Sequence, residues 1–515
     1  MKQKRIFTKA FRSDLRMDPV GSVSSDNSYI VKSKAVLGIW MGSILMALLC
    51  TAVTYPGIFY SDSFVRVATG KAVWNNIIQT LTGNRQPLKT DNAFTVIPSF
   101  IMSLSLGLTG HVALYTFFQA FAFFAAVFLL IRELNPALKR PLYFLFAISP
   151  IIYGASVYYE ANIGSAIGII MLILLLRRVP EEKTKKDRIL EYMLIAAASF
   201  ITYGYRTNAL TVLPVLIVYL FRTQRNRMML KKILALSAQL LGIILVWLVP
   251  WIFNVQSESN LCTGFVWEMI TVIQRMDEEE QASYLDYLDE IGGEGATKAV
   301  LQTSNENSVD GFMWGGYLNT EVLSAPGATT KVLQKYFRLI WEKPLNWLQV
   351  KGDFTAKALG ITRPLDLYEY PYNRWDRMDE YDFNDNIRRE LFHQSFHVEN
   401  SILEFYTCRP WVAFLISIIF VGIERFRKNE KRDLYSLILW LAVFYYMAYL
   451  VMIVVFEQRM FYPSLLLLMI LDAAILSDWL YSGFLRLWKK RSGRDDDCSH
   501  EADQEGSAAS SGSLI

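Results

Sequence analysis

Apolar runs of close to twenty residues recur along this chain from Ala35 onward, separated by short polar linkers. Helical residues rise ~1.5 Å each, so ~20 of them match roughly 30 Å of hydrocarbon. A backbone in lipid must also satisfy its own hydrogen bonds, which leaves helices or closed barrels. The short alternating segments of a membrane barrel are absent. A composition of 53% hydrophobic and 19% charged residues excludes an ordinary soluble domain. The expected fold is therefore a polytopic α-helical membrane protein.

About ten transmembrane helices are expected, at roughly 35–55, 111–131, 141–157, 161–177, 188–204, 207–222, 232–254, 410–425, 434–456 and 459–481. Basic residues orient them. Lys2, Lys4, Arg5, Lys9, Arg12 and Arg16 precede the first span. Arg132/Lys139/Arg140, Arg177 to Arg188, Arg222 to Lys232, Arg425 to Arg432 and Arg486 to Arg494 follow later ones. All fall on one side if the chain starts inside, so both termini are expected to be cytoplasmic. Counting 92–109 as a further span would break this parity. Its Ser, Thr and Gly content predicts an element lying along or re-entering the outer surface.

The resulting organisation is a cytoplasmic segment 1–34 and a transmembrane domain 35–254 with its first external loop at 56–110. A mainly helical extracytoplasmic domain follows at 255–408, then C-terminal transmembrane helices at 409–482 and a disordered cytoplasmic tail at 483–515. In 255–408 acidic residues outnumber basic ones, so no nucleic-acid surface is expected there. Cys50 lies in the first span and Cys498 in the tail. Cys262 and Cys408 flank the external domain, either paired or as two free thiols.

On this topology the ionisable residues at span edges gather on the outer face. Asp62 follows the first span, in Tyr60-Ser61-Asp62-Ser63. Glu160 follows Tyr158 and Tyr159 between the third and fourth. Arg206 and Asn208 occupy the turn between the fifth and sixth, and Glu457 and Arg459 precede the last. Charges at this depth cost a few kcal/mol unless paired or hydrated, so they tend to line a site. Read singly, Glu457–Arg459 and Glu160–Arg206 are equally well structural ion pairs pinning helix ends. Their convergence favours a functional site.

In layout the chain resembles the GT-C class of membrane glycosyltransferases, which includes protein O-mannosyltransferases and lipid A aminoarabinose transferases. The resemblance rests on Asp62 after the first span, on Glu160 at the next external loop, and on a first loop 63–110 matching interfacial helices. It also rests on the soluble domain 255–408 and on Glu457-x-Arg459-x-x-Tyr462-Pro463, which is similar to an E-x-R-Y-x-x-P element of a poorly characterised bacterial branch. The chain departs from many relatives in having Ser61-Asp62-Ser63 and Arg85-Gln86-Pro87 where they carry an Asp-Glu pair or a His-Pro-Pro stretch. Its second acid is a Glu after two tyrosines. These departures leave the acceptor and any divalent cation open.

The resemblance implies a glycosyltransferase of the bacterial cell membrane. It would move a sugar from a polyprenyl-phosphate donor to an envelope glycan, lipid or protein acceptor. Asp62 is the expected general base, since a positioned carboxylate taking the acceptor's proton contributes about 10²–10⁴-fold. Arg206 and Arg459 are expected to bind the departing phosphate through charge-assisted hydrogen bonds. Glu160 would orient the acceptor or an arginine, or help hold a divalent ion. Asn208, Glu457, Tyr159 and Tyr462 would support them. Two other classes compete. A glycan polymerase or ligase would rest on external arginines and a histidine. A lipid or solute transporter would show pseudo-symmetry and broken helices at mid-membrane depth.

No metal ligands are assigned from the two motifs that suggest them. His393-x-x-x-His397 has i, i+4 spacing but no third ligand nearby. The run Asp376 to Asp385 lacks the glycine and terminal Glu of a calcium loop. Asp277-Glu278-Glu279-Glu280 reads as a helix N-terminus, where carboxylates favour the dipole.

Overall fold

The computed structural model describes residues 25–54, 61–84, 87–90, 96–149, 160–179, 184–222, 229–257, 262–309, 317–318, 320–323, 325–366 and 402–508. Within these, helices dominate. They are α1 (Ser25–Thr54), α2 (Ser61–Leu81), α3 (Val96–Thr109), α4 (Ala113–Leu134), α5 (Lys139–Ile148), α6 (Glu160–Arg178), α7 (Lys185–Tyr205), α8 (Val212–Arg222) and α9 (Met229–Ile252). The segment after α9 carries α10 (Thr263–Gln274), α11 (Glu278–Ala282), α12 (Asp289–Gly292), α13 (Ala296–Thr303), α14 (Thr320–Leu323), α15 (Ala328–Glu342) and α16 (Pro344–Ala358). Then come α17 (Ile402–Thr407), α18 (Pro410–Phe426), α19 (Arg432–Val451) and α20 (Gln458–Ala508).

Five helices among the described residues are long and apolar enough to cross a membrane: Ala113–Leu134, Ala161–Arg178, Met229–Ile252, Arg432–Val451 and Gln458–Leu487. Val36–Ala52, Val96–Thr109 and Thr207–Arg222 are shorter apolar helices. The protein is thus a helical membrane protein. Its spans are unequal in burial. The apolar windows of α6 and α20 are each 78% buried within the protein, that of α9 only 22%. Leu241, Ile244, Trp247 and Trp251 of α9 accordingly present an exposed apolar face, as a lipid-clad helix requires.

Small residues set how closely the helices pack. A Cβ at Gly168 of α6 would lie 2.8 Å from the backbone nitrogen of Thr202 in α7, and one at Gly242 of α9 would lie 2.6 Å from Ser199 Cβ. Both glycines let neighbouring backbones approach α7 from two sides, the usual way membrane helices gain contact without a hydrophobic driving force.

One end of the bundle is built by α2, α3 and a two-stranded parallel sheet. Strands β1 (Leu88–Thr90) and β2 (Val255–Ser257) pair with Leu88 opposite Val255. The fourteen-residue α3 extends about 21 Å, short of a hydrocarbon core. It buries Val96, Ile97, Met102 and Leu106 and packs against α2 and the C-terminal end of α7. Tyr115 at the start of α4 meets Tyr205 at the end of α7, hydroxyl to hydroxyl at 3.3 Å.

The opposite end carries the basic linkers. Arg177 pairs with Glu133 at 3.0 Å and Lys431 with Asp478 at 3.2 Å. Asp478 also accepts from the Ala137 backbone N–H at 2.7 Å, and Ser477 Oγ from that of Leu138 at 2.8 Å. Glu424 accepts from Trp479 Nε1 at 2.6 Å and pairs with Arg427 at 3.1 Å.

The α10–α16 segment shares one continuous hydrophobic cluster with the long apolar helices, running from Trp267, Leu288, Val332 and Phe354 into Tyr446, Phe461 and Leu465. Asp277 caps α11, accepting from the Glu280 N–H at 2.8 Å, so the acidic run is a helix start. Cys50, Cys262 and Cys408 are buried, and none of the three is in a disulfide. The last helix is assigned through Ala508, into the tail that composition marks as disordered. Extending an existing helix fixes one residue per added bond and avoids the nucleation cost.

Candidate functional site

The site is assembled around the non-helical step between α19 and α20. Asp366, which follows α16, grips this step: its N–H donates to Phe456 O at 3.0 Å, and its carbonyl accepts from the Gln458 N–H at 3.0 Å. Phe456 plugs into the extramembrane core, its ring centroid 5.4 Å from Trp267 and 5.6 Å from Phe354. Lys357 Nζ and the Arg363 guanidinium sit 5.7 and 5.8 Å from the same ring, within the range of cation–π attraction. Burial pushes the Lys357 ammonium below its ordinary pKa, and neighbouring Arg363 adds to the shift.

Glu457 and Arg459 flank this anchored step. The Arg459 Nε donates to the Glu457 carboxylate, and their side chains are only 8% and 16% exposed. The guanidinium is thus held in a fixed orientation in a partly desolvated place, where charge-assisted hydrogen bonds are strong. Tyr462, one turn on, is fully buried.

The turn after α7 comes to the same place. Arg206 ends α7 in extended conformation and a 3-10 turn spans Thr207–Thr211. Thr211 Oγ1 donates to the carbonyl of Phe444 in α19 at 2.8 Å, which pins the turn to the helix that ends beside Glu457. Two tyrosines of α19 register the convergence. Tyr445 lies beside Arg206, Asn208 and Ser165, and Tyr449 is within electrostatic reach of Glu457, Arg459 and Arg206. Four sequence-predicted residues, Arg206, Asn208, Glu457 and Arg459, are therefore brought together.

Asp62 stands in the first turn of α2 and Glu160 opens α6, both at this end of the bundle, but their side chains lie outside the described residues. So do Tyr158, Tyr159, His393, His397 and the run Asp376 to Asp385. Among the described residues no group of three His, Cys, Asp or Glu is placed to hold a metal ion.

Several residues that sequence reading missed belong to this region. Asn162 of α6, two residues after Glu160, is 1% exposed, and neither its Oδ1 nor its Nδ2 meets a hydrogen-bond partner among the described residues. A buried amide with both atoms open is rare in native proteins. Arg66 of α2, 2% exposed, follows Asp62 by one helical turn. Its signal was a lone arginine in a largely neutral stretch. On the extramembrane side Glu268, 1% exposed, accepts from Tyr336 OH at 2.6 Å, Trp347 Nε1 at 2.5 Å and Lys351 Nζ at 2.7 Å. Burial and the adjacent Glu268 carboxylate raise the Tyr336 pKa. Lys351 also donates to the carbonyl of Val451, the last residue of α19, at 2.8 Å.

What the arrangement offers chemically is two oriented guanidiniums, tyrosine hydroxyls and an open amide at one end of an apolar bundle, beneath a helical layer. Comparison with protein-family models, curated proteins and solved structures finds no match to this chain.

Proposed function

We propose that the protein is a membrane glycosyltransferase of the GT-C type, moving a sugar from a polyprenyl-phosphate-linked donor to an extracytoplasmic acceptor. The observation that carries this reading is the gathering of Arg206, Asn208, Glu457 and Arg459 around Tyr445 and Tyr449, at the end of the bundle where Asp62 and Glu160 begin their helices. A lipid-linked phosphate reaches such a place from the bilayer, and an acceptor reaches it from the α10–α16 side. In this reading that side is extracytoplasmic, the basic opposite end is cytoplasmic with both termini, and about ten helices span the cell membrane.

Each step has a residue suited to it. Asp62 takes the proton of the acceptor hydroxyl as it attacks the sugar carbon. Arg206 and Arg459 donate to the phosphate oxygens on which charge develops as the sugar–phosphate bond breaks. Glu457 holds Arg459 in line, and Glu160 orients the acceptor. Asn208, Tyr159 and Tyr462 support these groups, and Asn162 has open donor and acceptor capacity for sugar hydroxyls.

The test compares wild type with Asp62→Asn in nanodiscs, supplied with radiolabelled polyprenyl-phosphate sugars and an envelope extract. Transfer by wild type and its loss in a folded Asp62→Asn protein is expected. Equal transfer by both removes Asp62 from the mechanism, and transfer by neither refutes the reading for these donors.

A further inference from the structure

Asp472 lies near the middle of the apolar stretch Gln458–Leu487 of α20 and is 8% exposed. Its Oδ2 accepts two hydrogen bonds, from Tyr406 OH of α17 at 2.7 Å and from Ser417 Oγ of α18 at 2.8 Å. Its Oδ1 is buried and meets no donor among the described residues. The groups that act on it electrostatically are those two hydroxyls, with no charged side chain from α4, α5, α6, α18 or α19, the helices packed against α20. The nearest charges along α18 and α20 are committed elsewhere, Glu424 to Arg427 and Asn429, and Asp478 to Lys431 and Tyr435.

A carboxylate at such depth needs a compensating positive charge, because neutral hydroxyl donors do not offset the lost hydration of a full charge. Structural intramembrane acids meet this need with an arginine or lysine. Among the described residues Asp472 has neither, yet it is set among apolar side chains with one oxygen left open. Acids in that situation mark ion or proton sites. We infer that Asp472, Ser417 and Tyr406 form an intramembrane binding site for one monovalent cation, a proton or a sodium ion, with Oδ1 as its principal ligand atom.

The site joins three elements. Tyr406 belongs to α17, Ser417 to α18 and Asp472 to α20, so its occupant neutralises the junction through which α17 is held to the bundle. Loss of the occupant leaves a bare charge at that junction and weakens it.

The experiment uses the full-length chain in nanodiscs and two arms. In the first, infrared difference spectra are recorded across pH in sodium-free potassium buffer. A proton site gives a carboxylic-acid carbonyl band that titrates as one group, tenfold per pH unit, and is missing in Asp472→Asn. In the second, sodium replaces potassium at fixed pH. A sodium site raises the thermal midpoint of wild type and leaves that of Asp472→Asn unchanged. A response in either arm that Asp472→Asn abolishes supports the site and identifies its occupant. Identical behaviour of wild type and Asp472→Asn in both arms overturns it. Should Asp472→Asn fail to fold, Ser417→Ala and Tyr406→Phe each remove one donor to the carboxylate. Both are expected to shift the titration midpoint, and unshifted midpoints overturn the proposal. None of these readouts uses sugar transfer, so this inference and the proposed enzyme activity fail separately.

Discussion

Lys351 Nζ lies 2.7 Å from the buried carboxylate of Glu268 and bridges it to the end of α19 through Val451 O. One ammonium thus neutralises an interior acid of the α10–α16 layer and caps α19. Removing one member of such a pair leaves an uncompensated charge, which costs about 3–5 kcal/mol. Lys351→Met is therefore expected to loosen the extramembrane layer by about 3 kcal/mol, and Glu268→Gln by less, because the amide keeps an acceptor for Tyr336 and Trp347. Hydrogen exchange of α10 and α16 against that of α4 checks this. Equal protection in wild type and Lys351→Met would refute it.

Arg459 and Glu457 act as one unit in the proposed reaction. Arg459→Ala is expected to lower transfer about 10²–10³-fold, and Arg459→Lys to lower it nearly as far, since an ammonium lacks the planar fork. Glu457→Gln keeps an acceptor for the Arg459 Nε and is expected to fall less than tenfold. Initial rates of label transfer give the ranking, and a fully active Arg459→Lys removes directional phosphate binding from the mechanism.

The approach of α6 to α7 depends on a missing side chain. Gly168→Ala puts a Cβ within 2.8 Å of the Thr202 backbone nitrogen, where no flexible side chain can give way, and is expected to destabilise by about 1–3 kcal/mol. Gly38, which meets nothing within 4 Å, is the control: Gly38→Ala is expected to be neutral or slightly stabilising by helix propensity. Thermal midpoints in one lipid distinguish the two.

Burial pushes the Cys408 thiol up to about 11 and raises that of Cys262 as well. Thiolates are the reactive form, so neither is expected to be alkylated by maleimide at pH 7 in the folded protein. Both should react on unfolding without any reductant. Mass spectrometry reads the labels, and a requirement for reductant would reveal a disulfide.

Acid sensitivity has a defined contributor. Glu306 accepts from Arg275 at 2.6 Å, and this hydrogen bond holds its carboxyl below the usual range. A depressed carboxylate contributes stability that is complete above its unfolded pKa of ~4.3 and is lost as pH falls through the folded value. The pair is half exposed, so solvent screening keeps its contribution to about 0.2–1 kcal/mol. Glu306→Gln should therefore melt earlier than wild type at neutral pH and match it in strong acid.

Part of this architecture was legible because run length is a strong signal. Helices α4, α9 and α20 follow from unbroken apolar runs, and the turn bearing Arg206 and the step bearing Glu457 and Arg459 both stand at the ends of such runs. The strands β1 and β2 were not legible. Each has three residues, no turn joins them, and a parallel pair leaves no hairpin signature. Asp472 escaped notice although it is an acid within an apolar run, and its partners come from α17 and α18, which only tertiary packing brings to it. Glu268 and Lys351 escaped notice because both belong to faces of α10 and α16 whose burial depends on each other.

The β1–β2 pair also constrains the order of events during synthesis. Its first strand leaves the ribosome long before its second, and α4, α6 and α9 are all threaded into the bilayer in between. The first loop, with α2 and the acid it carries, therefore waits unfinished until Val255–Ser257 emerges. A chain stalled before that point would hold most of its long apolar helices while the α2–α3 end stayed unassembled, so a growing copy acquires its lipid-embedded body first and this end last.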